Sequence, residues 1–275
     1  MTTAPAKGTP VIASVSGGKD STALCLHLRE QGIPYRAVHM DTGWEHPATD
    51  EYIREVLAPR IGPIEWITPP LDMVGLIRKK GIFPSRKIRY CTELLKTKPF
   101  WRWISENYAG EVVNAVGIRA DESPARADLD ETEETYLGTI WRPLLTWDVH
   151  RVVDIHRRHD LPPNPLYLKP GISRVGCWPC IYACKAEIAA VDHLSPERIN
   201  IIRVLEGELA EIAQPRVDAG EIKTIPTFFR SDKKNTPTRI DDVIDWANTK
   251  RGGKHRELFY DPNRSGCMRW GLCDV

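Results

Sequence analysis

The chain has 275 residues, 41% apolar and 27% charged, a composition that supplies a full globular core and excludes a largely disordered, collagen-like or coiled-coil protein. Net charge is +1, from 38 basic and 37 acidic residues, so total charge does not by itself mark a nucleic-acid binder. No stretch approaches the ~20 consecutive apolar residues of a membrane-spanning helix, and the opening MTTAPAKGTP lacks an apolar signal core, so a cytoplasmic protein with no membrane partner is expected.

In chain order, residues 10–15 (PVIASV) read as a buried strand and residues 21–31 as a helix that Gly32 stops. Residues 35–40 form the next strand. Residues 47–58 form a helix opened by Pro47, and residues 64–68 a short strand. Helices are expected over 71–80 and 92–107, then a strand over 111–118 and a polar, mobile loop over 121–136. Residues 139–144 are the last expected strand. Residues 147–159 fit an amphipathic helix, with Val149, Val152, Val153 and Ile155 inward and Arg151, Arg157 and Arg158 outward. LPPNPLY (161–167) is a rigid proline turn, and from about residue 190 a helix leads into a basic, turn-rich tail. Strand–helix alternation implies an α/β fold, a parallel sheet with helices on both faces and a ligand site beyond the carboxyl ends of its strands. A nucleotide-binding domain over 1–170 and a cysteine-containing helical and basic region over 171–275 are the expected divisions.

Ser16-Gly17-Gly18-Lys19-Asp20-Ser21 lies between the first strand and the first helix. Two glycines let the backbone turn its N–H groups onto phosphate oxygens, and the helix that follows points its positive end at the same place. Ser16, Ser21 and Thr22 add hydroxyls and Lys19 a point charge. The loop is shorter than GxxxxGK[ST], so a motor-type ATPase is not expected.

Seven cysteines, an odd number, argue against a disulfide framework. Cys25 lies within the first helix and reads as a small buried apolar residue. Cys177, Cys180 and Cys184 form a compact thiol cluster, for which metal binding or thiol chemistry leads. Charge is segregated. Residues 78–98 hold eight Lys or Arg against one Glu, residues 121–134 seven acids against one Arg, and residues 222–270 eleven basic against six acidic groups. The basic runs are either solvated faces or a phosphodiester-binding surface. Arg86, Lys87 and Arg89, just before Cys91, and the aromatics Phe228, Phe229, Trp246 and Tyr260 of the tail suit the second reading. Core packing of those aromatics is the alternative.

SGGKDS resembles the pyrophosphate-binding loop of N-type ATP pyrophosphatases, which split ATP between its α and β phosphates and adenylate a substrate. Further motifs narrow the resemblance. Asp41-Thr42-Gly43-Trp44-Glu45 stands where family members read the nucleotide. Tyr90-Cys91-Thr92 with Lys96 and Pro99, and Gly117-Ile118-Arg119 with Glu122, Ser123 and Arg126, are similar to two further segments of phosphoadenosine-phosphosulfate (PAPS) reductases. The run from Pro143-Leu144 through Trp147, Leu161-Pro162, Pro165-Leu166-Tyr167 and Gly176-Cys177 to Pro179-Cys180 is similar to a third. Over residues 10–185 the chain thus resembles the PAPS reductase superfamily, which implies an adenine nucleotide alpha-hydrolase-like fold.

In iron–sulfur reductases of that family the ligands are a CC pair and a CxxC pair. Here Cys91 falls on the first position of the CC pair, Thr92 replaces the second, and Cys184 restores the count. Cys91, Cys177, Cys180 and Cys184 are therefore expected to hold a 4Fe–4S cluster, with zinc or a bare thiol site as alternatives. Cys267 and Cys273 lie where such reductases carry a terminal nucleophile, but their ECG-x-H setting is missing, so a catalytic thiol and an incidental one both stand. Asp41 is expected to bind Mg²⁺ or the adenosine, with structural capping as the alternative. Gly117 and Arg119 are expected at the nucleotide, Arg119 neutralising phosphate, with a surface ion pair as its alternative. His39 and His46 are placed to touch substrate.

The intact loop, the broken CC pair and the missing terminal setting together look most like the ATP pyrophosphatase component of DNA phosphorothioation systems. That resemblance implies ATP and Mg²⁺ as ligands and DNA as acceptor. It also implies a cysteine desulfurase as sulfur donor, and a homodimer or modification complex. Reduction of PAPS or adenylyl sulfate is the main alternative; tRNA sulfur modification and a non-catalytic nucleotide-binding subunit are the others.

Overall fold

The computed structural model describes residues 5–6, 8–135, 138–229 and 236–249. Cys267 and Cys273, and most of the basic tail, lie outside the described residues.

Six strands, β1 (Val11–Ser14), β2 (Arg36–Met40), β3 (Ile64–Ile67), β4 (Val113–Ala115), β5 (Thr132–Thr135) and β6 (Gly138–Trp141), form one sheet in the order β3-β2-β1-β4-β6-β5. All pairings are parallel except β5 with β6. The expected parallel α/β sheet is present with an antiparallel edge. β5 lies in the stretch read from sequence as a polar loop.

The helices are α1 (Lys19–Glu30), then α2 (Pro47–Glu51), which runs through a π turn, Tyr52–Leu57, into α3 (Ala58–Ile61). Next are α4 (Met73–Lys80) and α5 (Tyr90–Thr92), the latter continuing through a second π turn, Glu93–Thr97, into α6 (Lys98–Asn107). The short α7 (Pro124–Ala127), α8 (Val149–Arg158), α9 (Lys185–Leu194), α10 (Pro196–Asp218) and α11 (Ile240–Asn248) complete the set. Local chemistry sets several ends. Asp72 accepts the Gly75 N–H at 2.7 Å to start α4, Gly81 ends it at φ +67°, and Asp148 accepts the Arg151 N–H at 2.8 Å to start α8.

Helices cover both faces. On one, Val11, Ala13, Ala37 and Val113 pack under Leu24 and Leu28 of α1, Ile53 of the first π turn and Val152 and Ile155 of α8. On the other, Ile12, Val38 and Ile67 meet Phe100, Trp103 and Ile104 of α6. Each such side chain contributes about 1.5–3 kcal/mol on burial, so the central strands are fixed by both layers. A separate core joins Trp44, Leu76 and Ile77 to Trp178 of the cysteine loop and to Ile202, Leu205 and Leu209 of α10. It places the thiol segment against the turn that follows β2. Among the described residues no helix is long and apolar enough to cross a membrane.

Candidate functional site

Sheet order reverses at β1, whose neighbours are β2 on one side and β4 on the other, so a crevice opens at the carboxyl ends of β1 and β4. The loop of residues 15–18 leads from β1 into α1 there. Gly17 takes φ +72°, and a Cβ on it would stand 2.8 Å from Thr49 Cγ2. Gly18, the N-cap of α1, has no side chain to cap the helix, so apart from the Lys19 N–H that end can meet a ligand. The Ser21 hydroxyl accepts the Ser16 N–H at 3.1 Å, lies 3.1 Å from Ser16 Oγ and donates to the Gly18 carbonyl at 3.0 Å. Thr22 donates to the same carbonyl at 3.0 Å.

Three residues distant in sequence brace this loop. Asn164 donates to the Gly17 carbonyl at 3.2 Å, the Tyr167 hydroxyl accepts the Lys19 N–H at 3.2 Å, and His156 Nε2 donates to the Lys19 carbonyl at 2.8 Å. Burial pushes the His156 pKa down to about 4, so its ring is neutral at physiological pH. None of the three stood out in the sequence as a site residue. The signals were an Asn and a Tyr inside the proline turn, and the place of Tyr167 in the segment that resembles PAPS reductases.

Lys19 Nζ pairs with Asp20 at 2.9 Å, and Asp20 also receives Arg119 Nε at 2.6 Å. Arg119 is buried, with a second pairing to Asp121. The guanidinium is thus a strut between the first turn of α1 and the 119–122 turn. Gly117 lies so close to that helix that a Cβ on it would stand 2.6 Å from the Asp20 carbonyl oxygen, so β4's extension seats the loop by backbone contact.

The turn after β2 closes on itself. Asp41 accepts the Gly43 N–H at 3.1 Å, and buried Glu45 accepts the Thr42 hydroxyl at 2.7 Å and the Thr42 and Trp44 N–H groups at 3.2 Å each. His39 donates Nδ1–H to the Val15 carbonyl at 2.8 Å, and burial holds its pKa below the ordinary value, leaving the ring neutral. His46 caps α2, accepting the Ala48 N–H at 3.0 Å. A cavity of about 290 Å³ lies between these elements. Ser14, Val38, Met40 and Asn114 form its sheet side, Phe100 and Trp101 its apolar wall, and Ser16, Glu45, Lys96 and Gly176 its rim. A flat heteroaromatic ring suits such a slot: apolar walls, with a few polar groups at the edge.

The thiols lie past that rim. Glu45 and Cys177 pair as an antiparallel bridge, Trp178 donates its N–H to the Trp44 carbonyl at 2.8 Å, and Trp44 Nε1 donates to the Pro179 carbonyl at 2.9 Å. Lys96 lies within electrostatic reach of the Cys177 sulfur. Burial pushes the Cys177 and Cys91 thiols up, while the Lys96 ammonium pulls both the other way; Cys180 lies within electrostatic reach of each. The structure thus gathers Cys91, Cys177 and Cys180 around Lys96. Cys184 is exposed and stands at the N-terminus of α9, its N–H donated to Glu187 at 3.0 Å. Among the described residues no three His, Cys, Asp or Glu side chains are grouped to hold a metal ion. Cys25 is fully buried, as expected.

Residues 10–183 match the family model for the phosphoadenosine phosphosulfate reductase domain. A 37.8 kDa uncharacterized protein of Escherichia phage 186 is 33% identical, the alignment covering 94% of each chain. The adenosine 5'-phosphosulfate reductase of Deinococcus radiodurans is 34% identical over 57% of this chain and 60% of its own length. Among solved structures, the PAPS reductase of Candida auris in its phosphate complex aligns with a TM-score of 0.45 at 21% identity, covering 60% of this chain and 77% of that one.

Proposed function

The chain belongs to the phosphoadenosine phosphosulfate reductase family, nucleotide-binding enzymes of sulfur chemistry, and from that premise we propose that it is an ATP pyrophosphatase that adenylates a DNA backbone phosphate for sulfur insertion. The observation that carries this reading is the complete SGGKDS loop at an uncapped helix N-terminus, braced by Asn164, Tyr167 and His156. A sulfonucleotide has no β,γ-pyrophosphate to fill such a loop.

In this mechanism the adenine enters the slot between Met40 and Trp101, and the β and γ phosphates lie against the loop amides other than those of Ser16 and Lys19, which Ser21 Oγ and the Tyr167 hydroxyl hold. Lys19 exchanges its Asp20 partner for the pyrophosphate and stabilises the charge that develops as the α–β bond breaks. A phosphodiester oxygen attacks the α phosphorus and pyrophosphate leaves. The outer sulfur of a persulfide, delivered by a donor such as a cysteine desulfurase, then attacks the DNA phosphorus with AMP as leaving group, and a second thiol cleaves the resulting S–S bond, leaving the phosphorothioate and a disulfide. Arg119, already held by two carboxylates, keeps Asp20 and the loop in place. Mg²⁺, when bound, supplies further neutralisation of phosphate charge, and Asp41 at the carboxyl end of β2 is the residue we assign to it.

We assign a 4Fe–4S cluster to Cys91, Cys177, Cys180 and Cys184. The donor set fits: it is all thiol, three members already gather around one ammonium, and four irons spread their ligands more widely than one ion does. When bound, the cluster supplies a redox-active or sulfur-binding group next to the nucleotide.

Pyrophosphate release from ATP by anaerobically purified protein, with and without duplex DNA, tests the reading. Release that rises with DNA and falls on the order of 100-fold in Lys19→Ala is expected. Wild-type release in Lys19→Ala would sink it. A second reading, reduction of an adenylyl sulfate, has the 34% identity to the Deinococcus reductase in its favour and requires no pyrophosphate release.

A further inference from the structure

Several exposed cations of this fold are matched to carboxylates: Arg78 pairs with Glu208, Arg158 with Glu30, Arg203 with Asp241 and Arg36 with Glu65. Others have no carboxylate partner, those of the segment between α4 and α5 among them. Arg86, Lys87 and Arg89 are all exposed, and none takes part in a salt bridge among the described residues.

Two of them share one aromatic partner. The Arg86 and Arg89 guanidinium carbons each lie 5.4 Å from the ring centroid of Tyr182. Arg89 also donates to the Thr92 hydroxyl at 3.3 Å. Cation–π contact with one ring tethers both groups while leaving N–H donors for other partners, and it bounds the separation of the two carbons at twice that distance. Tethered guanidiniums with unused donors are suited to phosphate oxygens, because less side-chain entropy remains to be lost on contact. Ile88, also exposed, lies between them in the chain.

The position of this fork gives it meaning. Tyr182 lies between Cys180 and Cys184, and Arg89 is two residues before Cys91. A strand held here passes within a few residues of thiols from both segments. We propose that Arg86, Arg89 and Tyr182 form a phosphate clamp for a nucleic-acid backbone, which lays the strand beside the thiol site. The inference rests on the adenylation reading only in naming a nucleic acid as the polyanion; the unmatched cations on one ring stand without it.

The test is fluorescence anisotropy with the full-length, anaerobically purified protein. The probes are a labelled 20-base-pair DNA duplex and a labelled polyglutamate, each titrated at several salt concentrations. Replacing both cations (Arg86→Ala with Arg89→Ala) is expected to weaken duplex binding roughly 10-fold. It should also flatten the slope of log K against log salt by about 1–2, as two phosphate contacts are lost. Arg158→Ala removes the same kind of charge at a site matched by Glu30 and should leave both quantities unchanged. Arg86→Lys with Arg89→Lys keeps the charge but loses the planar fork, and should fall between the two. Because all these side chains are exposed, circular dichroism melts should match wild type. A double alanine variant with wild-type affinity and salt slope overturns the proposal, as does a wild-type protein that binds polyglutamate as tightly as DNA. The two readings fail separately. Fork-dependent DNA binding without pyrophosphate release would remove the adenylation reading alone. DNA-stimulated release that ignores the fork would remove the clamp alone.

Discussion

Asn164 is the most exacting test of how the phosphate loop is held. Its side chain is buried and makes two good hydrogen bonds, donating to the Gly17 carbonyl at 3.2 Å and accepting the Leu166 N–H at 3.0 Å, with a longer contact to Thr49 Oγ1 at 3.4 Å. Asn164→Leu is close in volume, so packing changes little, but both partners lose their hydrogen bonds. Each neutral bond is worth about 1 kcal/mol, and a buried carbonyl or N–H left unmet costs about 1–3 kcal/mol. The expected loss is therefore roughly 2–4 kcal/mol. For a chain of this size that is a fall of roughly 3–7 °C in the melting temperature. The loop should suffer beyond the global loss, because Gly17 sits at positive φ and depends on its surroundings to hold that turn. Thermal unfolding followed by circular dichroism, together with KM for ATP in the pyrophosphate assay, reads both effects. A variant melting within about 1 °C of wild type with an unchanged KM would refute the claim that Asn164 holds the loop.

Three further outcomes are expected. Glu206, buried in α10, accepts the Phe228 N–H at 3.0 Å on one oxygen and the Ile240 N–H at 2.9 Å on the other. Glu206→Gln turns one acceptor into a donor facing an N–H and should cost about 1–3 kcal/mol, read as a lower urea midpoint; an unchanged midpoint would show that the carboxylate is not the clasp. Cys25, whose pKa burial pushes up to about 12, should resist iodoacetamide in the native protein. Cys91, Cys177, Cys180 and Cys184 should become labelled only after iron chelation, as mass spectrometry can report; labelling that is indifferent to chelation counts against the cluster. His156 stays neutral in the folded chain down to about pH 4, whereas the unfolded chain takes up its proton near the ordinary 6.5. Stability must therefore fall as pH drops from about 6.5 to about 4, by roughly 3 kcal/mol for this group. His156→Gln should flatten that part of the stability curve, and parallel curves for the two proteins would contradict the assignment.

The legible parts of the fold share a physical character. β1 and β2 are apolar runs because both faces of the sheet are covered, and α1 is bounded by glycines on each side. β5 was illegible because it is an edge strand, Thr132–Thr135, reading TEET, mostly exposed and acidic, and an edge strand with charges outward has the composition of a loop. The expected strand over 111–118 shrinks to Val113–Ala115, since the chain beyond it leaves the sheet to lie on α1. At the site, contiguous chemistry was readable and long-range support was not. SGGKDS announces itself, but Tyr167, His156 and Asn164 reach it across 148, 137 and 147 residues. Arg119 shows the limit of reading charge by position. At a strand's end it looks like a phosphate ligand, yet its fixed partners are Asp20 and Asp121.

Trp44 ties the turn after β2 to the thiol loop. Its indole is fully buried, its Nε1 holds the Pro179 carbonyl, its own carbonyl holds the Trp178 N–H, and the Arg198 guanidinium lies 4.2 Å from its ring centroid. Arg198 also donates to the Glu45 carbonyl at 3.2 Å, next to the backbone bridge between Glu45 and Cys177. Arg198 lies on α10, beyond the residues that match the family model, so this bracing is supplied by the C-terminal helical region. Three links from Trp44 and Glu45 to the consecutive residues Cys177, Trp178 and Pro179, in a close-packed core, leave little room for independent movement. A shift of the turn at Asp41–Glu45 must carry Cys177 with it, whose sulfur faces the electrostatic influence of Lys96, a residue that also lines the cavity. The turn that lines the cavity and the thiol loop are thereby joined by covalent neighbours and direct hydrogen bonds.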